Sequence, residues 1–542
     1  MIAMLRILSI CGDKIRIINS DDKVVYSLRK SFDTTFIRES VKTDSKQTNM
    51  EGVYYKNIPS FLQTKNYPPE YSISIPIFDE GLKFTSRFEN GNLKKVFRIS
   101  KVEYELYLSE DFNTAGHYNW FYFKTMSNLP ARTVVTFKIV NMLKPSSLYS
   151  FGLKPFAHSI KENKGWVSAG DSISYRLSTA SVSSYLANPG KKFYTLEWKY
   201  TYEHAEDDVY FAQFIPYTYS DLLGYLRGLN NDGILRIDAM CKTEAKNICP
   251  ILTITENVGA YLSYSYEQDI ASMSKSTRKA IYNRVDQLYS KGTKRPNTNF
   301  YSGLSNYKRK NKNEGMIEVT EPETTKTHEL ELALVKHKES HNEKRGVVIV
   351  GRVHPGIYFI NTLGEAPGSW VMKGLIDFLL SDSQEAKMLR KHFIFRIVPM
   401  LNPDGVIYGN YRCSLLGYDL NRRWKLADRF LQPTVYYAKR VIRSMHEERE
   451  VAFFCDLHAH SMQKDIFMYG CSYNDSEYVT KNAGIQVIPL VISQLNKNFS
   501  YKFSRFQIEK YKESTARVVV FKEFGISNSY TCEASFFAYA FH

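Results

Sequence analysis

The 542-residue sequence has no run of the roughly 18 apolar residues that a membrane span needs, and its short apolar start is broken by Arg6 and closed by Asp13. Neither a signal peptide nor an anchor is read, so no membrane partner is expected. Cysteine is sparse too. Cys11, Cys241, Cys249, Cys413, Cys455, Cys471 and Cys532 are odd in number, dispersed and without C-x-x-C spacing, which speaks against a disulfide scaffold and for a reducing, cytoplasmic setting. With 43% hydrophobic and 24% charged residues, neither global disorder nor a fibrous structure fits. Basic excess is present but local: the net charge is +16, and Ser274 to Lys312 holds eleven Lys or Arg against one Asp. That stretch reads as a solvated insertion rather than a nucleic-acid-binding face, so no nucleic-acid partner is expected.

The length exceeds what one hydrophobic core serves and predicts at least two domains, in a chain expected to be a monomer. Residues 1–70 lack periodicity and are treated as a leader or loosely ordered extension. Residues 71–235 carry short runs rich in aromatic and β-branched residues, such as Val102 to Leu108, Trp120 to Phe123, Val134 to Val140, Phe193 to Tyr200 and Val209 to Phe214. Turn signals such as Asn90-Gly91 and Asn188-Pro189-Gly190 separate them, which predicts an all-β antiparallel sandwich. Residues 236–542 form the second domain, with the basic insertion at about 259–343. Here strands (Val347 to Val350, Phe393 to Val398, Val451 to Leu457, Val518 to Lys522) alternate with helices (Ser369 to Leu380, Val435 to Glu447, Tyr478 to Asn496). Such alternation predicts an α/β domain whose largely parallel sheet is flanked by helices, with its chemistry at the carboxyl ends of the strands.

Polar clusters stand at those ends. His354 follows the strand closing at Val350, and His458 and His460 follow the one closing at Leu457. Two strand-end imidazoles and a nearby carboxylate supply three of zinc's four positions and leave one for water. Either histidine of the His458-x-His460 pair could serve, since strand alternation points both to one side.

The segments Arg352-Val353-His354-Pro355-Gly356, Asn402-Pro403-Asp404-Gly405, Gly409-Asn410-Tyr411-Arg412, Asp419-Leu420-Asn421-Arg422, Asp456-Leu457-His458-Ala459-His460 and Thr531-Cys532-Glu533 follow one another as in the cytosolic carboxypeptidase family, which the sequence resembles. Phe84-Thr85-Ser86-Arg87-Phe88-Glu89 and Pro216-Tyr217-Thr218-Tyr219 resemble that family's amino-terminal domain. The resemblance implies an α/β metallocarboxypeptidase domain preceded by the sandwich. It also implies Zn2+ held by His354, Glu365 and His458, with His460 behind that set or on the substrate side. It further implies Glu533 as catalytic base, Arg412 at the oxyanion, Asn421 and Arg422 clamping the terminal carboxylate, and Arg517 in the side-chain pocket. Tubulin or other glutamate-rich tails are the implied substrates, and microtubules or cilia an implied location within the cytoplasm.

Two features depart from the family pattern. Eight residues, Ile357 to Gly364, stand between Gly356 and Glu365 where the family has His-Pro-Gly-Glu, so the turn joining two ligands is widened. The chain also ends nine residues after Glu533, where a closing helix is expected. The widened turn motivates an alternative: a catalytically impaired member that binds tubulin or acidic tails. A third reading, another zinc hydrolase such as a deacylase, would not need the Asn421 and Arg422 clamp.

Overall fold

The computed structural model describes residues 81–535 apart from 115, 180–190, 230–232, 262–343, 356–364, 461–462, 464 and 475–477. The expected leader, nearly all of the basic insertion, the eight-residue insertion and most of the carboxyl tail therefore lie outside the described residues.

The amino-terminal half builds two five-stranded sheets. One is ordered β1 (Leu82–Thr85), β4 (Tyr122–Ser127), β10 (Asp208–Ala212), β6 (Phe156–Ser159), β7 (Val167–Ser168), and the other β2 (Lys95–Ser100), β3 (Glu103–Tyr107), β5 (Thr133–Met142), β9 (Tyr194–Tyr202), β8 (Asp171–Leu177). All neighbours are antiparallel except β3 and β5, which run parallel, so the sandwich is not wholly antiparallel as expected. Alternation along the strands sends one face inward, and the buried side chains are largely aromatic. Phe137 of β5 lies 5.0 Å from Phe211 of β10 and 5.2 Å from Trp198 of β9, ring centre to ring centre, and Phe123 of β4 lies 5.5 Å from Phe211. Rings of this size remove enough apolar surface from water to hold two sheets together without a disulfide. The six described cysteines are free and buried.

The second half is organised by a seven-stranded sheet: β11 (Leu235–Lys242), β12 (Ile248–Ile254), β14 (Phe393–Val398), β13 (Arg345–Gly351), β15 (Val451–His460), β17 (Ser529–Ser535) and β16 (Phe467–Tyr469), in that order. The four consecutive strands β14, β13, β15 and β17 are parallel, and the flanking pairs are antiparallel. Period-two alternation explains how both faces are covered. Val347 and Ile349 point into the layer that contains helices α1 (Tyr219–Arg227), α2 (Ala366–Leu380) and α6 (Val479–Leu495), whereas Val348 and Val350 meet α5 (Pro433–Glu448). Between α2 and α5 come α3 (Gln384–His392) and the single turn α4 (Pro403–Ile407).

The stretch Val518 to Lys522, expected to be a strand, is helical and belongs to α7 (Ala516–Phe524). Its Val518-Val519-Val520-Phe521 run has strand composition, but the element is buried on nearly every side, so no amphipathic period marks it. Thr515 before it and Gly525 after it, with φ at +67°, are the helix punctuation.

The domains are locked to each other by backbone groups. Asn90 N–H donates to Ile407 O at 2.8 Å, and Gly409, at φ +69°, approaches Gly91 so closely that a Cβ would stand 2.3 Å from its carbonyl oxygen. Only glycine fits there. The buried carboxylate of Asp111 in the sandwich accepts the N–H groups of Tyr411, Arg412 (2.6 Å) and Cys413 (2.7 Å), fixing the loop that carries Arg412. Asp111→Ala leaves those three donors without their acceptor, at about 1–3 kcal/mol for each orphaned group before relaxation. Urea denaturation is expected to show a loss of roughly 2–5 kcal/mol, and an unchanged midpoint would contradict the clamp.

Candidate metal centre

Three parallel strand ends and one helix start meet at the carboxyl edge of the sheet. His354 sits in the turn after β13, Glu365 caps α2, His458 is on β15, and Glu533 lies opposite His458 in the β15–β17 register. Glu365 Oε1 is 2.9 Å from His354 Nδ1 and 2.6 Å from His458 Nδ1, and its Oε2 accepts the His354 N–H at 3.2 Å. The side chain that the widened turn put at risk thus reaches both imidazoles. These three are the group among the described residues whose donor atoms could hold a metal ion, all within 4.8 Å of one another and all buried.

Arg352 explains how the turn keeps its shape beside the inserted residues. Its buried guanidinium donates to Pro355 O at 3.0 Å, Ser369 Oγ at 2.9 Å and Tyr217 O at 3.3 Å, tying the His354 turn to the helix that Glu365 caps. The same residue sits at φ +52°, a left-handed conformation that costs a non-glycine residue energy and is sustained by those bonds.

The remaining ring nitrogens are held by carboxylates. His354 Nε2 is 2.8 Å from Asp419 Oδ1, and His458 Nε2 is 2.6 Å from Asp456 Oδ2. An imidazole that donates Nε2–H to a carboxylate presents Nδ1 as a lone pair, the tautomer a metal needs. Three carboxylates gathered on two imidazoles also leave the centre strongly anionic. Burial opposes ionisation of Glu365, yet His458 and His354 outweigh it and hold its carboxyl down to about 2. Burial likewise opposes protonation of His458, and Asp456 and Glu365 outweigh it and push its pKa well up. Two nitrogens and one oxygen, preoriented and electron-rich, fit Zn2+ with a position to spare.

Around this set stand the other expected residues. Asp419 begins the turn Leu420–Arg422, accepting the Asn421 N–H at 3.0 Å and the guanidinium of Arg412. Asn421 Nδ2 lies 3.2 Å from His458 Nε2, and its Oδ1 accepts the Ala516 N–H at 2.9 Å. Arg422 Nε is 4.0 Å from Asp419 Oδ2. Glu533 is buried, and its Oε2 has no hydrogen-bond partner. Burial, reinforced by Glu365 and Asp456 against the pull of His458, pushes its carboxyl up to about 8.

Arg517, expected in the side-chain pocket, is in the first turn of α7, donating to Gly470 O with its guanidinium 6.0 Å from the Tyr469 ring. His460 is not part of the ligand group; its Nδ1 accepts the Gln463 N–H at 3.1 Å and its ring packs against Phe467. Sequence reasoning missed the roles of Asp419 and Asp456. Asp456 was findable, because two residues along a strand share a face with His458. Asp111 carried no such signal.

Comparisons with known proteins agree with this geometry. Residues 309–541 match the family model described as zinc carboxypeptidase, and residues 84–214 match the cytosolic carboxypeptidase N-terminal domain. The chain is 35% identical over 491 residues to cytosolic carboxypeptidase 3 of Mus musculus, covering 88% of this chain and 39% of that protein. It is 33% identical to cytosolic carboxypeptidase 1 of Gallus gallus, covering 84% of this chain and 32% of that protein. The chain therefore spans well under half the length of these relatives. A solved metallo-carboxypeptidase from Burkholderia cenocepacia superposes with a TM-score of 0.54 at 17% identity, over 84% of this chain and 90% of that one, a likeness of fold.

Asp456→Asn keeps the shape of the side chain but weakens the hold on His458 Nε2–H. A zinc affinity lower by about 10- to 100-fold is expected in chelator competition, and wild-type affinity would show that Asp456 does not orient the ring.

Proposed function

The chain belongs to the cytosolic carboxypeptidase family of zinc carboxypeptidases, and from that membership we propose that it removes the carboxy-terminal glutamate from acidic protein tails of the tubulin kind. The observation that carries this reading is the meeting of Glu365 with both Nδ1 atoms, with a buried, unpartnered Glu533 carboxylate oxygen on the neighbouring strand. The alternative of an impaired binding protein rested on the widened turn, and that meeting removes its motive.

His354, Glu365 and His458 would hold Zn2+, which when bound would supply Lewis-acid chemistry to the scissile carbonyl and to a water. Glu533 takes the proton of that water and returns it to the departing amine. Arg412, fixed at its backbone by Asp111, offers its guanidinium to the developing oxyanion. Substrate draws Arg412 and Arg422 from Asp419 by competing for the same fork of donors. Asn421 and Arg422 then grip the terminal carboxylate, whose two oxygens match a guanidinium. Arg517 and Tyr469 line the place of the terminal side chain and suit a glutamate. The chain acts as a monomer in the cytoplasm, where microtubules and cilia carry such tails. No helix among the described residues is long and apolar enough to cross a membrane.

A zinc-loaded preparation is expected to release free glutamate from a peptide ending in Glu. Glu533→Gln is expected to lower kcat by about 10²- to 10⁴-fold with zinc content retained. Release at the wild-type rate would remove Glu533 from the chemistry, and no release by the wild type would end the hydrolase reading.

A further inference from the structure

Two cysteines face each other at the edge of the seven-stranded sheet, outside the zinc centre. β11 and β12 are antiparallel, and their register sets Cys241 directly opposite Cys249, with Lys242 opposite Ile248 toward the turn. Directly opposed residues of such a pair have Cα atoms about 4.5–5.5 Å apart, inside the roughly 4.4–6.8 Å that a disulfide spans. Both side chains lie in one buried cluster with Val441, Ile442 and Met445 of α5, so the two thiols share a face of the sheet. The Cys249 thiol donates to Met400 O at 3.3 Å, and the Cys241 thiol has Cys249 as its hydrogen-bonding neighbour. Of the six described cysteines, these are the two that a strand register sets opposite each other; Cys455 and Cys532 on neighbouring strands face Tyr530 and Leu457 instead.

Burial pushes the Cys241 thiol well up, and neither thiol is exposed, so the closed hairpin is unreactive. The place of the pair supplies the opening. β11 is the outermost strand, bonded to β12 alone among the described strands, and the ladder is irregular between Ala239 and Cys241. An edge strand whose pairing is interrupted beside one of the two cysteines separates at less cost than the central strands, and an opened thiol regains its ordinary acidity.

We propose that Cys241 and Cys249 form a reversible disulfide, which makes the β11–β12 hairpin a thiol-redox site of the carboxypeptidase domain. The co-reactant is a small disulfide of the glutathione class. The thiolate of one cysteine attacks a sulfur of oxidised glutathione, forming a mixed disulfide and releasing one glutathione. The thiolate of the second attacks the protein-side sulfur of that mixed disulfide, closing the bond between Cys241 and Cys249 and releasing the other glutathione. The two cysteine protons end on the two glutathiones, and the two electrons lost by the cysteines reduce the oxidant. The turn between the strands ties this site to the metal centre: Thr243 Oγ1 (2.6 Å), Ala245 N–H (2.8 Å) and Asn247 Nδ2 (2.8 Å) all donate to the Asp404 carboxylate of α4. Met400 is followed by Leu401 and Asn402, whose N–H groups donate to Gly351 O at 2.9 Å and Arg352 O at 3.1 Å. Oxidation removes the S–H that Met400 O accepts, beside the backbone bonds that carry the His354 turn.

The test incubates the zinc-loaded full chain in glutathione buffers of increasing oxidised fraction, then traps the remaining thiols with N-ethylmaleimide and digests with trypsin. Trypsin cuts after Lys242 and Lys246 and so places Cys241 and Cys249 in separate peptides. Mass spectrometry is expected to find those two peptides joined, two hydrogens below their summed mass, as the main disulfide-linked product, rising in one two-electron transition and parted by dithiothreitol. Cys249→Ala, with wild-type zinc content as the sign that it folds, is expected to leave Cys241 trapped or carrying one glutathione. A second arm repeats the oxidation in urea below the unfolding midpoint, where access no longer limits the reaction. Both cysteines recovered trapped in that arm, glutathione on each without a joined pair, or either cysteine joined as readily to another, would overturn the proposal.

Discussion

Everything in this molecule's chemistry depends on one convergence: two imidazole Nδ1 atoms facing a single buried carboxylate, Glu365, with each Nε2 held from behind by Asp419 or Asp456. Such a centre is unstable as a bare cluster, because three acids share little solvent. A divalent cation offsets that charge, and the same carboxylates that make the cluster anionic fix the ring tautomers a cation requires. Arg412 answers the remaining negative charge through Asp419. His354 of the ligand group and the Arg412 guanidinium are thus coupled through one aspartate, Asp419.

The fold serves that convergence in two ways. Parallel strands β13, β15 and β17 bring their carboxyl ends to one edge, where residues distant in sequence meet with little freedom, as sheets of this kind tend to do. The sandwich domain is the second support, and it is more than a neighbour. It fixes the Arg412 loop through Asp111, threads Asn90 and Gly91 against Ile407 and Gly409, and lays Lys144 over Tyr411. Tyr411 and Ala459, on the carboxypeptidase side, pack into the aromatic core of the sandwich. Separating the domains would therefore disturb the site as well as the interface.

Much of this was legible in the sequence, for definable reasons. Strands such as Phe393–Val398 and Val451–His460 announce themselves by mostly apolar runs, broken by Arg396 in the first and opening with Val451 to Cys455 in the second, and the aromatic runs of the sandwich by their alternation and turns. His354, His458 and Glu533 were visible because each closes or follows such a run within a recognisable motif. The widened turn between His354 and Glu365 was read as a threat to the ligand set, since spacing along the chain says nothing of a guanidinium that ties the His354 turn to α2. Arg352 supplies that tie through Pro355 and Ser369. The α7 helix was misread because burial on nearly every side, with only Lys522 and Glu523 exposed, erases the period by which helices are recognised. Asp111 and Lys144 were out of reach altogether: their partners lie about three hundred residues away for the first and across a domain boundary for both.

The most direct measurement is zinc K-edge X-ray absorption, with metal content, on the wild-type chain and on Glu365→Ala. One zinc per chain in a shell of nitrogen and oxygen atoms, with outer scattering from two imidazoles, and its loss in Glu365→Ala, is the predicted result. Zinc held equally well without the Glu365 carboxylate, or a shell containing sulfur, would contradict the account.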